Sequence, residues 1–211
     1  MPPQPPRPSR PARAVRRRPD RYHHGDLRRA LLVEAVRTIH ADGAEGLTLR
    51  GVGDRLGVSR TALYRHFADK QALLDEVAAE GFRMLRSALH DAWGSGGRAG
   101  FDAMGVAYVR FALAHPSHYR VMFGSIARGR EAHPDGVEDS ADAFQVLVDA
   151  IAAEQAAGRV REEDAQALAL YIWAMVHGVA MLALDGLMPP STKPDDLARL
   201  AIARLHDGID R

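Results

Sequence analysis

The sequence predicts an all-α fold of about nine helices, and three observations predict it. Apolar residues recur every three or four positions along most of the 211-residue chain, the spacing that gathers side chains on one face of an α-helix. Ser, Thr or Asp stands at the start of several such segments, where a side-chain oxygen can take up an unsatisfied backbone N–H. Pro116, Pro134, Pro189, Pro190 and Pro194 fall between segments or at their first residues, the places where proline is tolerated. No run reads as a strand.

Residues 1–21 are mostly proline and arginine, without apolar periodicity. Each proline removes a backbone donor, so a disordered basic arm is expected, either a solvated tail or a segment that touches an anionic partner. From Asp26, Leu27, Leu31, Ala35 and Ile39 recur every four residues, and Asp42-Gly43 stops the helix, glycine suiting a left-handed C-cap. Thr48 caps a short helix to about Leu56. Gly57-Val58 makes a tight turn. Ser59 caps a helix of about two turns, ending near Phe67, and Asp69 caps one running to about Asp91. Gly94-Ser95-Gly96-Gly97 superficially resembles a dinucleotide-binding glycine motif, but no strand precedes it, so it reads as a loop. Further helices are expected at about 100–114, 117–124, 137–157, 163–184 and 194–207. The organisation expected is a basic arm over 1–21, a first helical domain over 22–69 and a second over 70–211.

Charge is nearly balanced overall, at +1, but unevenly spread. Residues 1–70 hold 15 Arg or Lys against 7 Asp or Glu, and the remainder is acidic. A basic head on an acidic body is the electrostatic footprint of a nucleic-acid-binding end, although an anionic membrane would also attract it. There is no cysteine, which excludes disulfides, iron–sulfur clusters and thiolate zinc sites and fits a reducing cytoplasm. No apolar run follows the N-terminal arginines, so no secretory signal is expected.

The stretch LTLRGVGDRLGVSRTALYRHF at 47–67 carries most of the functional information. Two short helices, each with its own N-cap, meet at a glycine turn. That is the layout of a helix-turn-helix, whose second helix lies in the major groove of DNA. Val52, Leu56, Val58, Leu63 and Phe67 are spaced to pack the pair against the first helix. The remaining face of the second helix offers Arg60, Thr61, Tyr64, Arg65 and His66. Their donors, methyl group and aromatic ring suit phosphates, guanine edges and thymine methyls.

At this point the sequence resembles the TetR family of bacterial transcriptional regulators. The resemblance rests on GLTLR at 46–50, GVSRTALYRHF at 57–67 and DKQALL at 69–74, with the YHHGDL entry at 22–27 similar to one branch. It is close from residue 22 to about 80. A later stretch, WAMVHG at 173–178, resembles the Trp-His-Gly signature of one C-terminal subtype. The resemblance implies that Thr48 and Arg50 start a supporting helix and touch phosphates. It implies that Ser59, Arg60, Thr61 and Ala62 meet base edges or backbone, and that Tyr64 and His66 contact phosphates. Lys70 would reach another phosphate, helped by the positive end of its helix. Gly53 replaces a usual alanine. With Gly51 it places two glycines inside a helix, each costing about 1 kcal/mol relative to alanine, and the sequence offers no reason for them.

The segment 165–184 is the most apolar of the chain. His177 in its middle, acidic flanks and a slightly short span argue against membrane insertion, so a helix buried on both sides is expected. Leu197, Leu200, Ala201, Arg204 and Leu205 form a stripe on the last helix. Two such helices from each of two chains would make a four-helix homodimer, as the resemblance also implies.

A small-molecule effector site is expected in this second domain, mostly apolar with a few polar groups. Candidate lining residues are Phe101, Met104, Tyr108, Phe111, Met122, Phe123 and Phe144, with Trp173, His177 and Met181 from the apolar helix. Each of them also reads as an ordinary core residue. The absence of a charged cluster favours an apolar or weakly polar ligand. His115, His118 and His133 lack a carboxylate at ligand spacing, so no metal is expected, and no cofactor or catalytic motif is present. The reading is therefore a ligand-released dimeric repressor on a near-palindromic DNA operator. A ligand-independent dimeric regulator or activator is the second reading, and an enzyme the third and weakest.

Overall fold

The computed structural model describes residues 24–94, 96–124 and 134–209. The Pro/Arg arm over 1–21 and His133 lie outside them. Among the described residues the helices are α1 (His24–Gly46), α2 (Leu49–Leu56), α3 (Arg60–Tyr64), α4 (Lys70–Trp93), α5 (Gly97–Ala114), α6 (Pro116–Phe123), α7 (Pro134–Ala156), α8 (Ala165–Leu184) and α9 (Pro194–Ile209). This is the all-α architecture that the periodicity predicts, with an N-terminal helix-turn-helix and a C-terminal helical body.

The glycine stop in α1 is where the sequence puts it. Gly43 adopts a left-handed φ of 72° and breaks the helical run, and a short turn to Gly46 follows. Leu31, Ala35 and Ile39 are buried on the inner face of α1. They meet Leu47, Leu49 and Val52 of the α2 region in one continuous core with Leu63, Phe67, Leu73 and Val77.

Helix α4 joins the head to the body. Its first turns share the core of α1–α3, and it packs along α5, α6 and α7. Helix α5 in turn packs against α8 and α9. One close approach is set by Gly81 on α4, where an added Cβ would stand 2.5 Å from Met122 Sδ on α6.

Two expectations need correcting. Helix α3 has only five residues rather than two turns. Beyond Tyr64 the chain tightens, with the N–H groups of His66 and Phe67 both donating to the Leu63 carbonyl. Helix α8 is not buried on both sides within one chain. Leu168, Ala169, Ile172, Val176, Val179 and Ala180 face the core, whereas Leu170, Tyr171 and Leu182 are 55%, 60% and 44% exposed. It is long and apolar enough to cross a membrane, but its inner face belongs to the core shared with α5, α7 and α9.

Candidate nucleic-acid interface and ligand cavity

Three caps fix the head. Thr48 Oγ1 accepts from the N–H of Gly51 at 3.0 Å, Ser59 Oγ from that of Ala62 at 3.2 Å, and Asp69 Oδ1 from that of Ala72 at 2.8 Å. Each satisfies an orphan donor at a helix start. Between α2 and α3, Gly57 takes a left-handed φ of 66° and donates its N–H to the Asp54 carbonyl, while Val58 donates to that of Gly53. A side chain at Gly57 would strain this conformation.

The structure also accounts for the two glycines of α2. A Cβ on Gly53 would lie 3.2 Å from Leu63 Cδ2, so glycine lets α3 seat closely on α2. A Cβ on Gly51 would lie 2.9 Å from Thr48 Oγ1, against the capping oxygen. Close packing and an unobstructed cap offset the lost helix propensity.

Leu63 is 2% exposed and anchors α3 inward. Arg60, Thr61, Tyr64 and Arg65 are exposed, while Ala62 and His66 are half-buried. Thr48 and Ser59 spend their side-chain oxygens on caps. Arg50 is exposed beside Asp54 at 3.6 Å. The Lys70 ammonium donates to the Glu45 carbonyl at 3.1 Å, which ties the start of α4 to the end of α1.

Sequence reading missed a polar clamp behind the α2–α3 pair. Glu34 of α1 is buried and accepts two 3.0 Å hydrogen bonds from Arg37. Arg55 of α2 reaches Glu34 at 3.5 Å and Asp42 at 3.3 Å. The Arg37 contact holds the Glu34 carboxyl below the usual carboxylate range. Its signal was faint: one glutamate within the otherwise apolar stripe of α1.

A ladder of ion pairs runs from head to body. Arg28 of α1 lies 5.3 Å over the Phe67 ring and pairs with Glu76 of α4 at 2.6 Å. Arg83 of α4 joins Glu76 at 3.3 Å to Asp139 of α7 at 2.9 Å, and Arg86 pairs with Asp142 at 2.7 Å. The next residues along α7 border a cavity.

That cavity has a volume of about 550 Å³, within the range of small-molecule sites. Phe101, Met104 and Tyr108 of α5, Phe123 of α6, Phe144 of α7 and Trp173 of α8 line it. Leu170 and Ala141, both exposed, also line it, so it opens between α7 and α8. The other four candidates lie off the lining. Phe111 borders an outer groove beside His115, Met122 packs against Gly81, and Met181 is half-buried further along α8. His177 stands behind the wall rather than in it.

The wall is backed by a polar cluster. Trp173 Nε1 donates to the Tyr108 hydroxyl at 2.9 Å. His177 Nδ1 lies 3.0 Å from that hydroxyl and 2.7 Å from the Tyr119 hydroxyl, and the two hydroxyls are 3.1 Å apart. Burial pushes the Tyr108 phenol up to about 12 and the Tyr119 phenol higher still, and it holds His177 below the ordinary imidazole range. Tyr119, fully buried, is the member that sequence reading missed.

These shifts set a pH dependence. A half-buried imidazole with a lowered pKa takes its proton at lower pH than it does in the unfolded chain. The neutral form therefore supports the fold above the unfolded value of 6.5 and that support is lost as pH falls towards the folded value. His115 acts in the same direction, through burial and the nearby His118. The lowered carboxylates Glu34, Glu76, Glu154 and Asp195 lose their contributions in a separate window below 4.5. Urea midpoints should thus fall in two steps on acidification, and His177→Gln should shrink the upper step. A midpoint flat between about pH 7 and 5 would contradict the neutral-imidazole cluster.

Comparison with known proteins places this geometry. Residues 31–77 match the model described as bacterial regulatory proteins, tetR family, and residues 101–205 match the tetracyclin repressor-like C-terminal domain. A solved structure of a protein of unknown function from Rhodococcus sp. RHA1 is similar over 92% of this chain and 100% of that one, at 36% identity and a TM-score of 0.82. The tetracycline repressor protein class C of Escherichia coli is 47% identical over 51 residues, 24% of this chain and 23% of that protein. The HTH-type transcriptional regulator Mb1846 of Mycobacterium bovis is 29% identical over 133 residues, 58% of this chain and 54% of that protein. The matched segments thus span about a quarter of the first of these curated relatives and about half of the second.

Proposed function

We propose that this chain, which belongs to the TetR family of bacterial regulatory proteins, is a homodimeric transcriptional repressor, released from a near-palindromic operator by a small, mostly apolar ligand. The observation that carries the reading is the exposed face of α3. A doubly capped helix-turn-helix holds Arg60, Thr61, Tyr64 and Arg65 outward, while Leu63 locks the opposite side to α2. In that geometry α3 enters the major groove. Arg60 and Thr61 meet base edges, and Tyr64, His66, Arg50 and Lys70 approach phosphates. The caps Thr48 and Ser59 and the half-buried Ala62 set the approach of the helix.

Residues 22–69 form the reading head and 70–211 the effector and dimerisation body, with the arm over 1–21 as a further basic contact. Two heads held about 34–36 Å apart read successive major grooves. Support for a dimer comes from the outer face of α8, where Tyr171, Ala174, Gly178 and Leu182 follow at helical spacing and Leu170 flanks them, together with Leu200 of α9 at 53% exposure. A ligand in the cavity would act on α7. The Asp139–Arg83–Glu76–Arg28 ladder gives α7 a connected route to α1, and the ligand need only favour a body in which the heads no longer match adjacent grooves. Such a regulator works in the cytoplasm and catalyses nothing.

The test is a salt-dependent titration of the purified protein on its own upstream DNA. Two or four chains per near-palindromic site, with affinity falling steeply with salt, is the expected result. Weak binding equal to that on random DNA would overturn the operator assignment. Arg60→Ala should cost about 1–3 kcal/mol of discrimination at one base pair per half-site. Selection of bound sequences reads this directly, and an unchanged preference would remove Arg60 from the base-reading set.

A further inference from the structure

The cavity's lining specifies more than apolarity. Among the described residues no charged side chain lines it, and its polar members are Tyr108, Ser140 and Trp173. A buried charge without a partner is strongly disfavoured, so this lining rejects ions. Phe82, Phe101, Phe123, Phe144 and Trp173 supply an aromatic surround, with Trp173 5.9 Å from Phe123 and 6.2 Å from Phe144 between ring centroids. Offset and edge-on ring contacts of this kind favour an aromatic guest.

Counting protons shows what Tyr108 can offer. Trp173 spends its only N–H on the Tyr108 oxygen. The Tyr119 hydroxyl donates to the Tyr108 oxygen at 3.1 Å, so with the neutral His177 ring protonated on Nδ1 the imidazole donates to the Tyr119 oxygen at 2.7 Å. The Tyr108 oxygen then accepts from Trp173 and from Tyr119, and the Tyr108 proton is left over. With the proton on Nε2 instead, Nδ1 accepts, and the Tyr108 hydroxyl at 3.0 Å is the one free to donate to it. The Tyr108 proton is unspent in the Nδ1-protonated tautomer and holds the 3.0 Å contact to His177 in the other, and Tyr108 is the cluster's one tyrosine among the lining residues. Tyr108 is 4% exposed, whereas Leu170 and Ala141 of the lining are exposed.

We infer that the effector is an uncharged, largely aromatic molecule carrying one hydrogen-bond acceptor, a ketone or ester carbonyl, that docks on the Tyr108 hydroxyl while Trp173, Tyr119 and His177 hold that hydroxyl in place. The inference rests on the reading of this cavity as the effector site. Binding gives the Tyr108 proton an acceptor on the ligand, with no change of charge in the cluster. The ligand is thereby oriented with its acceptor against α5 and its hydrocarbon body toward α7, the helix that bears the ion-pair ladder.

The experiment is a calorimetric titration of the full chain with three probes of one skeleton: benzophenone, diphenylmethane and 4-benzoylbenzoate. The variants are Tyr108→Phe, which removes only the hydroxyl, and Ala143→Leu, which fills the cavity from α7, where Ala143 lines it at 3% exposure. Helicity by circular dichroism checks that each variant folds. Benzophenone should bind about three- to ten-fold more tightly than diphenylmethane, the range of one neutral hydrogen bond. Tyr108→Phe should erase that gap. 4-Benzoylbenzoate should bind at least about ten-fold more weakly than benzophenone, and Ala143→Leu should abolish binding of all three. Equal affinities for the three probes on the wild-type chain, or a ketone preference that survives Tyr108→Phe, overturn the inference while leaving the cavity as the effector site. The three-probe comparison needs only the wild-type chain and holds even if a variant fails to fold. No binding of any probe, or binding indifferent to a folded Ala143→Leu, overturns the effector-site reading and the inference with it.

Discussion

Glutamate in place of Tyr171 or Leu182 should convert the protein to a monomer and abolish operator binding. Both side chains are largely exposed in the single chain, at 60% and 44%, so the charge costs the isolated fold little. In a two-fold symmetric bundle the same residue is buried twice, once in each subunit. An unpaired carboxylate buried at a helix interface costs several kcal/mol per copy. Two copies exceed what sustains micromolar association, since each 1.4 kcal/mol is about ten-fold in affinity. Sedimentation should show a single chain in place of a pair, with operator affinity down by more than about 100-fold. Far-UV circular dichroism should be unchanged. A variant that stays dimeric and binds its operator normally would place the dimer interface away from this face of α8.

The second large effect is expected inside the head. Leu63→Ala should cost about 2–5 kcal/mol, a large part of the 5–15 kcal/mol that typically separates folded from unfolded states. Helix α3 has five residues and cannot persist alone. It is held by its Ser59 cap and by Leu63, 2% exposed, seated over Gly53. Truncating Leu63 leaves a void where α2 and α3 meet, and the exposed face of Arg60, Thr61, Tyr64 and Arg65 loses its fixed orientation. Specific DNA binding should disappear, while the body, whose core lies along α4–α9, keeps its helices and its cavity. Thermal unfolding and operator titration measured together check this. Unchanged melting and affinity would mean that α3 is held by something other than Leu63.

Gly53 illustrates what can and cannot be read from a chain. Helix propensity marks it as unfavourable, and the sequence supplies no compensation. The compensation is a contact between Gly53 and Leu63, ten residues apart and on different helices. The short α3 is similar. The apolar spacing of Leu63 and Phe67 is helical, but the carbonyl of Leu63 receives two backbone donors and the turn tightens before Phe67. Local pattern sets the phase of the apolar face; packing against α2 and α4 sets where the helix ends.

The cavity makes the same point on a larger scale. Periodicity identifies Phe101, Met104, Tyr108 and Phe111 as apolar-face residues of α5, and the first three line the cavity whereas Phe111 faces the outer groove. His177 is a candidate lining residue from the sequence, yet it stands behind Tyr108. Its partner Tyr119 drew no notice because nothing in a short helix after Pro116 signals a hydroxyl 2.7 Å from a histidine 58 residues away.

By itself, the sequence determined the helical class, the order of the helices, the caps at Thr48, Ser59 and Asp69, the glycine stop at 43 and glycine turn at 57, and the polar face of α3. These follow from interactions within one or two turns, whose range matches the window in which a sequence can be read. Only the tertiary structure decided which apolar residues border a void, which of the two faces of α8 remains open, and how Arg28, Glu76, Arg83 and Asp139 link head to body. Those features depend on distances between helices far apart in the chain, set by the volumes of all the side chains packed between them.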